Sequence, residues 1–416
     1  MTLLIISPDY LSHYNPLSVL GTATAAAGDR VVVATGEGLR DRVLEDGFGW
    51  EPLALGPASN QGITTVDPAI QRFLEATKNG PLATIAHQAT ERERDLLWQP
   101  ERVTVDIDTL LESVNPSQVI VDHVSFGSTL ALYASGRAFG TLVPGHPTQL
   151  PVGDERYGIP PEWPTALRPS DEALAAVEAI ADRVTTAFTE RWNSALAAIG
   201  SDRPPVDDAL RVHGDYVLYN SVASLQAPNR QERLPPNHEF VGPLVQDTAT
   251  NELGSCLERW SSRPLVYVAL GTFLSARSDV LARVANGLRR LDVRGAIAMG
   301  STPLERLGRL PDDWLIAPTL PQPALLARAD VAIHHGGNNS VQESLAAGAR
   351  QIVMPFSTDQ FANAADLEQR ANATVLAPNS TSSFDIAAAV CAALTAQAPE
   401  PIPARQPTAL LEAING

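Results

Sequence analysis

The stretch Ala332-Ile-His-His-Gly-Gly-Asn-Asn-Ser-Val-Gln-Glu-Ser-Leu-Ala-Ala-Gly348 gathers groups suited to holding a phosphorylated ligand. It reads as an apolar strand, a tight turn at His335-Gly336-Gly337, and a helix opening near Asn339. Glycines in such a turn let backbone approach a ligand closely. A helix start offers unpaired N–H groups and about half a positive charge, which suits a pyrophosphate. His335, Asn339 and Ser340 add side-chain donors at the same end, and Glu343, one turn further, can accept bonds from sugar hydroxyls. In Ile352-Val-Met-Pro-Phe-Ser-Thr-Asp-Gln-Phe-Ala-Asn363 a strand ends, and Asp359-Gln360 opens the next helix as a clamp for vicinal hydroxyls. Upstream, Val266-Tyr-Val-Ala-Leu-Gly-Thr272 is a strand ending in a turn at Gly271-Thr272, able to face the phosphates from the other side. Each residue also has an ordinary reading: a capping or core histidine at 335, N-caps at Asn339, Ser340 and Asp359, a solvated helix face at Glu343. Their joint occurrence after strand ends favours a site.

In the first half, His13 follows the opening strand and is expected just before a helix near Pro16, where an open α/β sheet presents ligand groups. Val119-Ile-Val-Asp122 is a second strand ending in a carboxylate, with His123 beside it. A surface-loop histidine and a helix cap are the plain alternatives. His146, in the loop Val143-Pro-Gly-His-Pro-Thr-Gln149, and Phe126 are the acceptor-side candidates; a turn histidine reads equally well at 146. Asp106-Ile-Asp108 has a metal-binding look, but its surroundings read as a solvated helix face, so no metal is expected.

These groups need strands to carry them. Apolar runs at Leu3–Ser7, Val31–Ala34, Gln118–Asp122, Thr141–Pro144 and Tyr216–Tyr219 alternate with helical patterns. So do runs at Leu265–Leu270, Ala296–Met299, Trp314–Ala317, Val331–His334, Gln351–Met354 and Ala373–Leu376. The alternation predicts an α/β chain of two Rossmann-like, doubly wound domains facing across a cleft. The expected division is 1–240, a linker at 241–262 with a short helix near Leu253–Ser261, 263–397, and a proline-rich tail at 398–416 ending in a helix over Thr408–Ile414. Gly56–Gln99 has weak strand signals and is expected to form excursions near the cleft, and Asp182–Ile199 a long amphipathic helix. Trp98, Trp163 and Trp192 are expected in core or interface packing.

The 416 residues suit two such domains, and 44% hydrophobic with 19% charged content is globular. A net charge of -17 argues against nucleic acid and anionic membranes as partners. Lys78 is the single lysine among 30 basic residues, a sign of GC-rich coding. Cys256 and Cys391 show no metal-type spacing, no run is long enough to span a membrane, and the start reads as a buried strand; a reducing cytoplasm is expected.

Over most of the second half, in order, the chain resembles the donor-binding signature of family 1 glycosyltransferases of the GT-B fold. The pattern His-x-Gly-x-Asn-Ser-x-x-Glu is carried by His335, Gly337, Asn339, Ser340 and Glu343, followed by Asp359-Gln360; Pro321-Gln322, Gly271-Thr272 and Phe240-Val-Gly-Pro243 extend it. The resemblance implies that His335, Asn339, Ser340, Gly271 and Thr272 hold a diphosphate, Glu343 the ribose, Gln322 the base edge, and Asp359 with Gln360 the transferred sugar. Thr319 stands where many relatives carry a tryptophan that stacks on uracil, which leaves a dTDP- or UDP-linked donor as the co-substrate. The family's Gly-His-x-x-Pro is present with Ser12 in place of the glycine; it implies His13 as general base, oriented by Asp122. Family and coding bias point to an actinobacterial natural-product aglycone, such as an antibiotic, as acceptor, with inversion at the anomeric carbon and no cofactor or cation. A homodimer is left open. The competing readings are a GT-B epimerase or hydrolase acting on the nucleotide sugar itself, and a non-catalytic nucleotide-sugar binder. A nicotinamide dehydrogenase lacks its Gly-x-Gly-x-x-Gly turn after the first strand.

Overall fold

The computed structural model describes residues 1–56, 67–95, 97–246 and 263–415. Two parallel sheets organise them. The first has the order β3-β2-β1-β4-β5-β6-β7. Its strands are β1 (Thr2–Ile6), β2 (Arg30–Thr35), β3 (Gly49–Pro52), β4 (Gln118–Asp122), β5 (Gly140–Val143), β6 (Tyr216–Tyr219) and β7 (His238–Phe240). The second has the order β10-β9-β8-β11-β12-β13. Its strands are β8 (Leu265–Ala269), β9 (Arg294–Ala298), β10 (Leu315–Ala317), β11 (Val331–His334), β12 (Arg350–Val353) and β13 (Thr374–Val375). All eleven expected strands are present, and both lobes are Rossmann-like. The central strands are apolar on both faces, as parallel strands covered by helices must be; Leu3, Leu4, Ile5 and Ile6 are fully buried. The two strands that sequence reading missed, β3 and β7, are short edges whose residues are nearly all half-buried or exposed, so they carry no apolar run.

Six helices matter for the site: α1 (Leu11–Ala26), α2 (Phe126–Ser135), α3 (Asp171–Ile199), α4 (Asn338–Ala347), α5 (Thr358–Arg370) and α6 (Pro407–Asn415). α3 is longer than the amphipathic stretch expected at Asp182–Ile199, because Ser170 caps it a full three turns earlier. α6 crosses back to the first lobe, where Leu410, Ala413 and Ile414 join the core of Leu3, Ile5 and Leu17. The excursion before residue 99 holds two helices, Pro68–Lys78 and Pro81–Asp95. The first reaches the second lobe: Phe73 packs on that lobe's core, and Arg277 donates to Thr77 Oγ1 at 3.0 Å. The helix expected near Leu253–Ser261 and most of the 241–262 linker lie outside the described residues. Among those residues, no helix is long and apolar enough to cross a membrane.

Candidate active site

Each sheet reverses its strand order once, between β1 and β4 in the first lobe and between β8 and β11 in the second. Such switch points open a crevice beyond the carboxyl ends of the strands. Asp122 ends β4, and the segments after β1, β8 and β11 carry His13, Gly271-Thr272 and His335-Gly336-Gly337.

In the first lobe, parallel register pairs Ile6 with Val121, which sets the ends of β1 and β4 side by side. The chain leaving β1 turns into α1, whose first turn carries His13; the helix thus begins before the histidine, at Leu11, and Pro16 lies inside it. His13 Nδ1 sits 2.9 Å from Asp122 Oδ2. An ionised carboxylate only accepts, so Nδ1 bears the proton and Nε2 of the neutral ring is a free base. Asp122 is fully buried, and its Oδ1 accepts the Val124 N–H at 3.0 Å in the turn before α2, whose N-cap is Ser125 and not Asp122. His13 keeps 23% of its side chain exposed. Burial pushes its pKa down, but the charge and hydrogen bond of Asp122, aided by Asp359 across the cleft, outweigh it and hold the imidazole above 6.5.

In the second lobe, the glycines serve the histidine as much as any ligand. A Cβ on Gly271 would come within 2.9 Å of His335 Cε1, and one on Gly337 within 2.4 Å of Nε2. Gly271 and Gly336 also adopt φ of 75° and 85°, strained for any residue with a Cβ. Burial lowers the His335 pKa to about 4, so the ring is neutral. Its neighbour His334 is structural: Nδ1 accepts the Gly336 N–H at 3.0 Å and Nε2 meets Gln351 Oε1 at 2.9 Å. The first turn of α4 follows Gly337, which supplies no side-chain cap. Asn339 and Ser340 therefore lie inside the helix and are not its caps.

Glu343 Oε2 accepts from Gln322 Nε2 at 2.7 Å, Gln322 Oε1 accepts from Tyr267 Oη at 3.1 Å, and Gln322 Nε2 also reaches Ser340 Oγ at 3.3 Å. Burial raises the Glu343 pKa to about 7 against the pull of Gln322. Tyr267 was not singled out in the sequence, although it lies in the strand leading to Gly271. Gln360 Oε1 accepts the N–H groups of Phe356 and Ser357 at 3.0 and 3.2 Å, forming the capping box of α5. That arrangement leaves Asp359 out of the cap. Thr272 and Thr319 are exposed.

The lobes meet through polar contacts that no local pattern announces. Asn338 Nδ2 donates to Pro144 O and Asn220 O at 2.7 and 2.6 Å. Asn339 Nδ2 donates to Ser12 O at 2.8 Å. His146 accepts the Thr148 N–H at Nδ1 and places Nε2 2.9 Å from Asp366 Oδ2, which also accepts from Gln226. His146 is thus both the turn histidine and an inter-lobe contact. Arg370 ties Asp366 to Glu162, and Trp163 stacks on Phe361 at 5.3 Å. A cavity of about 330 Å³ runs between His146, Gln226 and Arg230 on one side and Ala362 and Asp366 on the other. Phe126 departs from expectation: it is 3% exposed at the start of α2, edge-on to Phe188, within the first lobe's core. Trp192 is fully buried in the same core, and Trp98 packs on the neighbouring one. Asp106 and Asp108 lie on a helix, and no cluster able to hold a metal ion occurs among the described residues.

Comparison with known proteins bears on the family and the fold. Residues 175–398 match the family model described as "UDP-glucoronosyl and UDP-glucosyl transferase". A PGL/p-HBAD biosynthesis glycosyltransferase of Mycobacterium tuberculosis is 30% identical over 177 residues, 42% of this chain and only 40% of that protein's length. Demethyllactenocin mycarosyltransferase of Streptomyces fradiae is 24% identical over 362 residues, 85% of this chain and 70% of that protein. Among solved structures, the glycotransferase of kitacinnamycin superposes with a TM-score of 0.68 at 19% identity, covering 99% of this chain and 94% of its own. The glycosyltransferase VinC, solved with dTDP, gives 0.67 at 16% identity, covering 100% and 94%. These structures share the GT-B fold. Because the family model spans more than half of the 416 residues, the chain belongs to the UDP-glucuronosyl and UDP-glucosyl transferase family.

Proposed function

We propose that the protein is an inverting glycosyltransferase that moves a sugar from a dTDP- or UDP-linked donor to a hydroxyl of a small natural-product aglycone. The observation that carries this reading is the 2.9 Å contact between His13 and buried Asp122, which leaves Nε2 basic at the crevice. In the proposed reaction, His13 Nε2 takes the acceptor hydroxyl proton as that oxygen attacks the anomeric carbon. The bond from that carbon to the β-phosphate oxygen breaks, and its electron pair leaves with the nucleoside diphosphate. One displacement inverts the anomeric centre. Asp122 stabilises the imidazolium that forms.

The donor sits on the second lobe, residues 263–397. His335 and the uncapped first-turn N–H groups of Asn339 and Ser340, with Gly271, Gly336, Gly337 and Thr272, receive the diphosphate, so the scheme requires no cation. Glu343 takes the ribose, Gln322 the base edge, and Asp359 with the Nε2 end of Gln360 the sugar. The acceptor enters from the first lobe, residues 1–240, near His146.

Thermal-shift titration with UDP, dTDP, GDP and ADP, on wild type and His335→Ala, tests the donor site, since a ligand of the native state raises stability by mass action. One nucleotide should stabilise the wild type and lose its effect in the variant. Absence of any nucleotide response, or donor consumption equally fast without acceptor, would overturn the transferase reading.

A further inference from the structure

Proline 16 breaks the hydrogen-bond ladder of α1. A helical residue at that position would donate its N–H to Ser12 O; proline has none. The orphaned carbonyl lies one residue before His13, and it accepts from Asn339 Nδ2 at 2.8 Å across the lobes. Next to it, Asn338 Nδ2 bridges Pro144 O and Asn220 O, the segments following β5 and β6. Both asparagines that open α4 thus donate to first-lobe carbonyls, Asn338 to two of them and Asn339 to Ser12 O.

We infer that the Asn339 side chain is a positioning residue for the base rather than a ligand of the diphosphate, an inference that rests on the transfer reaction proposed above. The diphosphate takes the backbone N–H groups of the same helical turn, while the Asn339 amide fixes the turn that carries His13. Pro16 strengthens this coupling, because a residue with an N–H would share Ser12 O within α1 and draw its lone pairs away from Asn339. The base and the phosphate-binding helix start are thereby held in register by one bond, placing proton removal and departure of the leaving group in one geometry.

The test is a double-mutant cycle of Asn339→Ala and Pro16→Ala, read by the Kd of dTDP and UDP and by kcat across pH. Asn339→Ala should leave nucleotide Kd within about twofold and lower kcat by about tenfold, the size of one lost hydrogen bond. Pro16→Ala alone, should Asn339→Ala fail to fold, should also lower kcat without changing Kd. In the Pro16→Ala background the Asn339→Ala loss should shrink, since Ser12 O then has its helical partner. Loss of nucleotide affinity matching the loss of kcat/KM, or full additivity of the two substitutions, would overturn the inference. Failure of the wild type to bind any nucleotide would instead remove the transfer reaction itself.

Discussion

His13 and His335 each follow a central strand at the switch point of a parallel sheet, one before the reversal and one after it, yet their acidities move in opposite directions. His335 is pushed down to about 4 because burial faces no countercharge, only the Ala269 carbonyl. His13 is also penalised by burial, but Asp122 and then Asp359 reverse the sign. Two switch points thus leave one histidine neutral and hold the other basic. The deciding element is the carboxylate at the end of β4, brought in from 109 residues away.

The sharpest way to break this contrast is His13→Ala. Loss of a general base is expected to cost about 10²–10⁴ in kcat, with nucleotide affinity retained. Steady-state kinetics beside a nucleotide titration would check it; retained turnover would remove the base assignment. Asp122→Asn should cost about 10–100-fold, the range of a charge-assisted hydrogen bond, and should make His13 resemble His335. Catalysis needs the neutral ring, so wild-type kcat should rise with pH through a value above 6.5. Without the carboxylate charge that limb moves to lower pH. A pH–rate profile distinguishes this from a structural defect, which would lower the plateau and leave the limb in place. For stability the sign is opposite: the raised His13 pKa favours the folded state below 6.5, and that contribution fades as pH rises through the folded value.

Glu343 probes the other side of the contrast. Its pKa near 7 means that the folded state holds a proton which the unfolded chain releases near 4.5. Stability should therefore fall between those values as pH rises. Glu343→Gln should flatten that slope by on the order of 1 kcal/mol, once its solvent-facing part is discounted, while weakening the bound nucleotide. Melting curves at pH 5 and pH 8 would show it. The smallest expected effect is that of a chelator: EDTA should leave the transfer rate unchanged, and so should replacing Asp106 and Asp108, because the charges that develop are met by helix N–H groups and His13.

The second-lobe turn, proposed as the donor site, was legible because its chemistry is local. A strand, a glycine turn and a helix bring His335 to Glu343 within nine residues, and their periodicity and turn chemistry survive in the linear text. The acceptor side was legible only at its ends: His13 and Asp122 could be named, but their meeting depends on β1 and β4 pairing in register. Local reading also placed α1 too late, since a proline inside a helix looks like its beginning. Phe126 looked available because α2 opens near the site, whereas packing against Phe188 turned it inward.

The amino-acid sequence by itself determined the two-sheet α/β architecture, the glycine turn at His335-Gly336-Gly337 and the two residues, His13 and Asp122, proposed as base and partner. Apolar runs, glycine turns and helix starts obey short-range rules, so each can be recognised without its partners. Only the tertiary structure decided which lobe received α6, which carbonyls Asn338 and Asn339 would meet, and that Asp366 would face His146. Those pairings join residues 118 to 327 positions apart, and nothing in the local preferences of either partner encodes the other. What selects the buried ones, at Asn338 and His146, is the cost of burying a polar group without a partner, a quantity that exists only once both lobes are in place.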